Sequence, residues 1–221
     1  MFLTMNGYRI TSPDLLRAEI TGEREDKTVN VFLWIMIAVV LIFIVLRGFV
    51  FTTVYVSGTS MYPTLNNGNY LLGNRLAARL GFYGYGSIVT INTDEREDDG
   101  SYKKIIKRVI ALEGDTVDIS PDGKVYLNGV LLKEDYVQRG VFTSKNHGTE
   151  FPHTVGKGEI FVLGDNRGVS KDSRYTVYSH IKTSQVYAVI PEWVINHIDF
   201  VQKYYGADES ACGILQKKLF V

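Results

Sequence analysis

One stretch of the chain is apolar at every position: residues 31–46 read VFLWIMIAVVLIFIVL. The residues before it are polar and mixed in charge, and those after it break into short β-branched or aromatic runs. Sixteen helical residues span only about 24 Å, against roughly 30 Å for a hydrocarbon core. Val29, Asn30 and residues 47–50 can extend the helix, with Arg47 snorkelling to the interface. With no polar face to turn to water, the run predicts a single-pass membrane anchor over residues 29–48. The alternatives are a buried core helix and a cleavable signal peptide, but residues 47–51 (RGFVF) offer no small-x-small cleavage site. Arg17, Arg24 and Lys27 before the span, against Arg47 after it, favour an inside N-terminus, although residues 23–27 also carry three acids. Further upstream, Ser12 or Asp14 can cap a short amphipathic helix, or the segment is a loosely ordered tail.

Beyond the span the period is that of strands. Residues 49–56, 70–72, 87–91, 104–112, 116–119, 159–163 and 185–190 are short apolar runs bounded by glycine, asparagine or aspartate. Residues 124–127 and 130–132 flank Asn128-Gly129, whose tolerance of positive φ predicts a type I′ hairpin. Residues 75–80 read as the one helical turn, residues 93–100 (TDEREDDG) as a charged loop and residues 138–156 as a longer polar loop. The sum is a mainly β fold, a folded antiparallel sheet or barrel, behind one helix. The expected divisions are a tail over residues 1–28, the span over 29–48, a domain over 49–205 and a C-terminal tail over 206–221.

Composition narrows the function by exclusion. The 24 basic and 24 acidic residues cancel, leaving no nucleic-acid footprint. Cys212 is the only cysteine, which excludes an internal disulfide framework and, with four scattered histidines, argues against a structural zinc site. No metal or cofactor is expected.

Three places could carry chemistry. Residues 57–65 (SGTSMYPTL) hold Ser60 in turn-prone sequence after a strand, as suits either a nucleophile or an ordinary loop. A nucleophilic serine needs a proton acceptor. His147, His153, His180 and His197 lie in no diagnostic setting, and the second glycine of a Gly-x-Ser-x-Gly elbow is missing. Ser101-x-x-Lys104 fits a Ser-x-x-Lys pattern but lacks its companion motifs. The strand 104–112 is the second place. Alternation puts Lys107 with Ile105 and Val109, and Arg108 with Ile106 and Ile110, so a basic pair is carried onto apolar faces. Desolvation lowers a lysine pKa from about 10.4, and a drop of about three units corresponds to about 4 kcal/mol. A snorkelling lysine is the structural alternative. Arg108 cannot deprotonate and suits a fixed ion pair or a surface role. The third place, residues 164–174 (GDNRGVSKDSR), is dense in charge and hydroxyls. Its three basic residues argue against a bound cation, Asp172 and Arg174 can pair with each other or with Arg167 and Asp165, and Ser170 or Ser173 could bond a neutral lysine.

Together, Ser60-Met61-x-Pro63-Thr64, Lys107-Arg108 and Gly164-Asp165-Asn166-Arg167-x-x-Ser170-x-Asp172-Ser173-Arg174 resemble the signature boxes of type I signal peptidases. They occur in the family's order behind an N-terminal span, and the resemblance covers residues 31–192. It implies Ser60 as nucleophile, Lys107 as general base and Ser170 as the group that orients the lysine. It further implies Asp172 and Arg174 as a supporting ion pair and Asp165 as a holder of the loop, with Met61, Pro63, Arg108, Gly164, Asn166, Arg167 and Ser173 in support. Two departures stand out. Gly86-Ser87 replaces the usual Gly-Asp, and Gly58 stands where some members have a serine that binds the oxyanion. The oxyanion contact then falls to the Ser60 N–H and the Thr59 or Ser57 hydroxyl. By the same resemblance the partners are pre-protein signal peptides and membrane lipid, reached by a monomer near the secretion translocon. Phe49, Phe51 and Met61 are expected as exposed apolar contacts with the bilayer. A non-catalytic anchored β-domain that binds peptides, and a self-cleaving repressor-type serine–lysine protease, are the competing readings.

Overall fold

The computed structural model describes residues 13–198 except 98 and 146, with side chains from residue 28 onward. Ser12, Cys212, the boundary at residue 205 and the C-terminal tail lie outside these residues. The chain divides into two units, residues 1–47 and 48–221.

The first unit contains nearly all of α1 (Pro13–Phe49), longer than the expected span because the polar residues before it continue the same helix. Its apolar part, Thr28–Phe49, is 22 residues long, about 33 Å at 1.5 Å per residue. Side chains all round it are exposed, Trp34 and Phe43 among them. A helix apolar on every side has no stable place in water.

The second unit is antiparallel throughout. Its larger sheet holds β1 (Phe51–Tyr55), β2 (Tyr70–Asn74), β3 (Ile88–Arg96), β4 (Tyr102–Ala111), β9 (Glu159–Leu163), β10 (Ile181–Lys182) and β11 (Val186–Ile190), ordered β1-β2-β11-β3-β4-β9-β10. The smaller sheet holds β5 (Thr116–Ile119), β6 (Val125–Leu127), β7 (Val130–Leu131) and β8 (His153–Thr154), ordered β7-β6-β5-β8. The helix α2 (Arg75–Arg79) starts where Asn74 Oδ1 accepts from the Ala77 N–H at 2.8 Å, which satisfies one of its free donors. A last short helix, α3 (Glu192–Asn196), follows Pro191. In the β6–β7 turn Asn128 and Gly129 have φ of 52° and 79°, as a type I′ turn requires.

Three apolar clusters fill the unit. One joins Val89, Ile91, Val109, Val162 and Val189; a second joins Val54, Val56, Met61, Leu65, Leu71, Ile88 and Ile190; a third lies between the sheets around Ile110, Val117, Val125, Phe161 and Leu163. Two expectations change here. The charged segment after residue 92 is not a loop: β3 continues to Arg96, because Thr93 is buried with its hydroxyl donating to Lys103 O, and Arg96 lies over the Tyr102 ring. Met61 is 1% exposed and packs in the second cluster, so it is no bilayer contact, whereas Phe49 is exposed and Phe51 half-buried.

Candidate active site

Lys107 comes from the middle of β4, flanked by β3 and β9 (Val89↔Lys107 and Arg108↔Leu163). A central strand position is dry, and Lys107 is 3% exposed. Its Nζ lies 2.8 Å from Ser60 Oγ and 3.0 Å from Ile106 O. Burial pushes its pKa from 10.5 down to about 8; Asp172 and Asp165 act against that shift and Arg174 with it. The Coulombic opposition is too weak to cancel desolvation. The result is an amine that can lose its proton near neutral pH while touching a serine.

Ser60 is held by its backbone. After β1 the chain makes tight turns, Tyr62 N to Thr59 O at 3.2 Å and Leu65 N to Met61 O at 2.9 Å, with Met61 and Leu65 anchored in the core. The loop after β9 then closes over it: Asn166 N donates to Ser60 O at 3.0 Å and Asn166 Nδ2 to Thr59 O at 3.1 Å. Among the described residues the Ser60 N–H and the Thr59 and Ser57 hydroxyls make no hydrogen bonds. Gly58 sits at φ +100° with its N–H bonded to Asn67 Oδ1 at 2.8 Å. A Cβ there would meet nothing within 4 Å. Backbone conformation, and not space, favours glycine at that position.

Charges around the site are paired. Arg108 grips Asp165 with Nε to Oδ1 at 2.8 Å and NH2 to Oδ2 at 2.6 Å, and its NH1 donates to Gly86 O at 2.8 Å. Thr64 Oγ1 donates to the same carboxylate, so Asp165 ties the serine loop to β4. Asp172 and Arg174 form a fully buried pair, Nε to Oδ1 at 2.8 Å, and Asp172 Oδ2 accepts the Gly164 N–H at 3.0 Å. Ser173 locks the loop to β9 through Val162 N to Ser173 Oγ at 3.0 Å. The Tyr62–Pro63 peptide bond is cis. Where aspartate was expected after Gly86, the Ser87 hydroxyl accepts from Gly84 N at 3.0 Å and steadies the turn.

The expected Ser170–Lys107 hydrogen bond is not formed. Ser170 Oγ is buried without a partner. It lies against Gly164, and Ile106 O takes the lysine N–H instead. Among the described residues, none of the four histidines hydrogen-bonds Ser60: His147 stacks on Tyr175, His180 pairs with Glu159, His153 lies beside His180, and His197 Nδ1 meets Trp193 O. Lys104 is exposed near the Tyr187 ring and Ser101 bonds Asp99, so that pattern forms no site.

The sequence singles out Thr64 within its box but not its bond to Asp165, and it does not single out Glu134, Thr143 and Tyr136 from the β7–β8 connection. Arg167 binds Glu134, and its NH1 also donates to Thr143 Oγ1 at 3.1 Å. One signal for them existed: Arg108, Arg167 and Arg174 outnumber Asp165 and Asp172, so a third anion was owed.

A Cβ at Gly164 would fall inside van der Waals contact of both Ser170 Oγ and Ser60 O. Gly164→Ala therefore displaces the Ser60 backbone. The expected result is a loss of stability of about 1–3 kcal/mol, as for overpacking, together with a fall in turnover per folded molecule. Denaturant melts and an activity assay on the folded fraction check both.

A profile of the family described as signal peptidase, peptidase S26, matches residues 28–193. Signal peptidase I S of Bacillus subtilis (strain 168) is 36% identical over 162 residues, covering 69% of this chain and 83% of that protein. Signal peptidase I of Bacillus licheniformis is also 36% identical over 162 residues, with 68% and 83% covered. The protein named probable signal peptidase I-2 of Synechocystis sp. is 34% identical over 161 residues, covering 71% of each chain.

Proposed function

The chain belongs to the signal peptidase family, peptidase S26, and from that premise we propose that it is a membrane-anchored serine endopeptidase that removes signal peptides from exported pre-proteins. The observation that carries this reading is the 2.8 Å contact between Ser60 Oγ and a buried Lys107 amine whose pKa is about 8. In neutral form Lys107 offers a lone pair to the Ser60 hydroxyl and keeps an N–H on Ile106 O, which fixes its aim. As the proton moves to Nζ, Oγ bonds the scissile carbonyl carbon. The free Ser60 N–H and the Thr59 or Ser57 hydroxyl face the developing oxyanion. The lysinium returns its proton to the leaving nitrogen as the C–N bond breaks, leaving an acyl-enzyme. A water that gives its proton to Lys107 then attacks the ester, and Ser60 is restored.

The substrate binds extended, adding a strand to an exposed edge, with small residues at −1 and −3 in shallow pockets. The apolar half of α1 spans the membrane with its N-terminus in the cytoplasm and the β unit outside. Anchoring enzyme and pre-protein to one bilayer raises their effective concentration.

The purified chain in detergent is expected to cut a pre-protein carrying alanine at −1 and −3, and to take up a serine-acylating penem at Ser60. Peptide mass spectrometry reads both. Cleavage indifferent to a phenylalanine at −1 removes the specificity claim. Absence of both cleavage and labelling leaves a binding module in place of an enzyme.

A further inference from the structure

The site's buried charges do not balance within its own loop. Asp165 is matched by Arg108 and Asp172 by Arg174, which leaves Arg167, 2% exposed, without an anion from residues 164–174. Glu134, in the connection between β7 and β8 of the smaller sheet, supplies it: Arg167 NH1 donates to Glu134 Oε2 at 3.1 Å and NH2 to Oε1. Burial disfavours the guanidinium charge, but the hydrogen bond and charge of Glu134, joined by Tyr136 and Asp172, together outweigh it and hold the Arg167 pKa above its ordinary value.

The other side of this guanidinium faces the site. Arg167 Nε donates to Gly164 O at 3.0 Å. Gly164 packs on Ser60 O, and Asn166, next to Arg167, donates its N–H to that same oxygen. The connection touches the site again at Tyr136, whose ring lies 4.0 Å beneath the Arg108 guanidinium and whose hydroxyl donates to Glu134 Oε1 at 3.2 Å. It touches it once more where Arg174 NH1 meets Ser144 O at 3.3 Å and Thr149 Oγ1 donates to Ser173 O at 2.9 Å. A strap from the second sheet thus braces the 164–174 loop, which holds the Ser60 carbonyl.

We propose that Glu134 is a positioning residue for the reaction, setting the Ser60–Lys107 alignment through Arg167, Gly164 and Asn166. The inference rests on the serine–lysine reading above. Loose support of a nucleophile lowers the rate of bond formation and leaves substrate affinity alone, because among the described residues Glu134 meets the site through Arg167 and Tyr136 only. A residue that merely holds the fold together would instead lower the fraction of folded enzyme, with each folded molecule working normally.

The test compares the full chain in detergent with Glu134→Gln and with the double variant Glu134→Gln/Arg167→Met, rates being expressed per site titrated by a serine-acylating penem. Glu134→Gln is expected to lower kcat per titrated site by about 100-fold, the usual scale for misplacement by about 1 Å, with KM within about twofold of the parent. The double variant removes the unpaired buried charge and regains melting temperature. Its kcat per site stays low, because Gly164 O has lost its donor. A Glu134→Gln enzyme within about threefold of the parent per site overturns the proposal. So does a double variant that regains both stability and rate, and the double variant carries the test if the single one does not fold. A parent chain that neither cleaves nor labels is a different outcome, visible before any variant is made, and it removes the dyad and this inference together.

Discussion

Lys107→Ala and Ser60→Ala are each expected to lower pre-protein cleavage by on the order of 10⁴-fold or more, since removing the proposed nucleophile or its base leaves only binding and oxyanion contacts. The lysine variant is the sharper of the two, because the burial that suits Lys107 to the proposed role of base also fixes a pH profile. Below pH 8 the amine is protonated and cannot accept the Ser60 proton. Cleavage therefore rises about tenfold per pH unit on the acid side and levels off above about pH 8. Stability carries the matching signature. Below pH 8 lysine is charged both folded and unfolded, and the folded state bears the full burial penalty. Between about 8 and 10.5 the folded state loses its proton first, so stability rises with pH, and beyond 10.5 it is flat. Lys107→Met lifts that penalty, so the variant is expected to be more stable than its parent at pH 7, by up to about 3 kcal/mol less the lost Ser60 contact. A variant that keeps measurable turnover, or an acid limb unmoved from the carboxylate range, removes Lys107 from the role.

Asp172→Ala is expected to cost about 3–5 kcal/mol, the scale for stripping one partner from a buried ion pair. Asp172 and Arg174 are both fully buried, and the carboxylate takes Arg174 Nε, Arg174 NH2 and the Gly164 N–H together. Removing it strands a guanidinium and a backbone donor in one step. Domains of this size have about 5–15 kcal/mol in all, so the loss shows as a large drop in denaturant midpoint and as site collapse. Asp172→Ala/Arg174→Met, with neither charge left, is expected to recover much of the midpoint. A stability within about 1 kcal/mol of the parent in Asp172→Ala would show that water reaches the pair.

Much of this was legible in the chain because the signals were local. The apolar run of α1, the Asn128-Gly129 turn and the alternation through β4 each arise from neighbours in sequence. Lys107 was readable as a candidate for burial because Ile105 and Val109 share its face, and its 3% exposure decides against the snorkelling alternative. What stayed hidden depended on distant partners. The residues TDER read as loop, yet β3 runs through them because one inward threonine finds Lys103 O. The two-residue strands β8 and β10 carry no period at all. Glu134 lies in Lys133-Glu134-Asp135, which reads as ordinary surface charge, and only the fold reveals that Arg167 reaches it. Met61 was misplaced because a loop position gives no sign of which way its side chain turns. Ser170 lost its expected bond to a backbone oxygen, an acceptor that no side-chain motif records.

The sheet order sets a schedule for the enzyme's own making. The strand last in sequence, β11, lies between β2 and β3, paired to both (Val189↔Asn74, Val189↔Val89). The hairpin next to Ser60 and the one bearing Lys107 are thus joined across the sheet only through residues 186–190. A chain emerging from the ribosome folds its early hairpins first, but the half that holds Ser60 and the half that holds Lys107 have no common strand until Val186 has been made. Sheet pairing between those two regions therefore waits until residues 186–190 have been made.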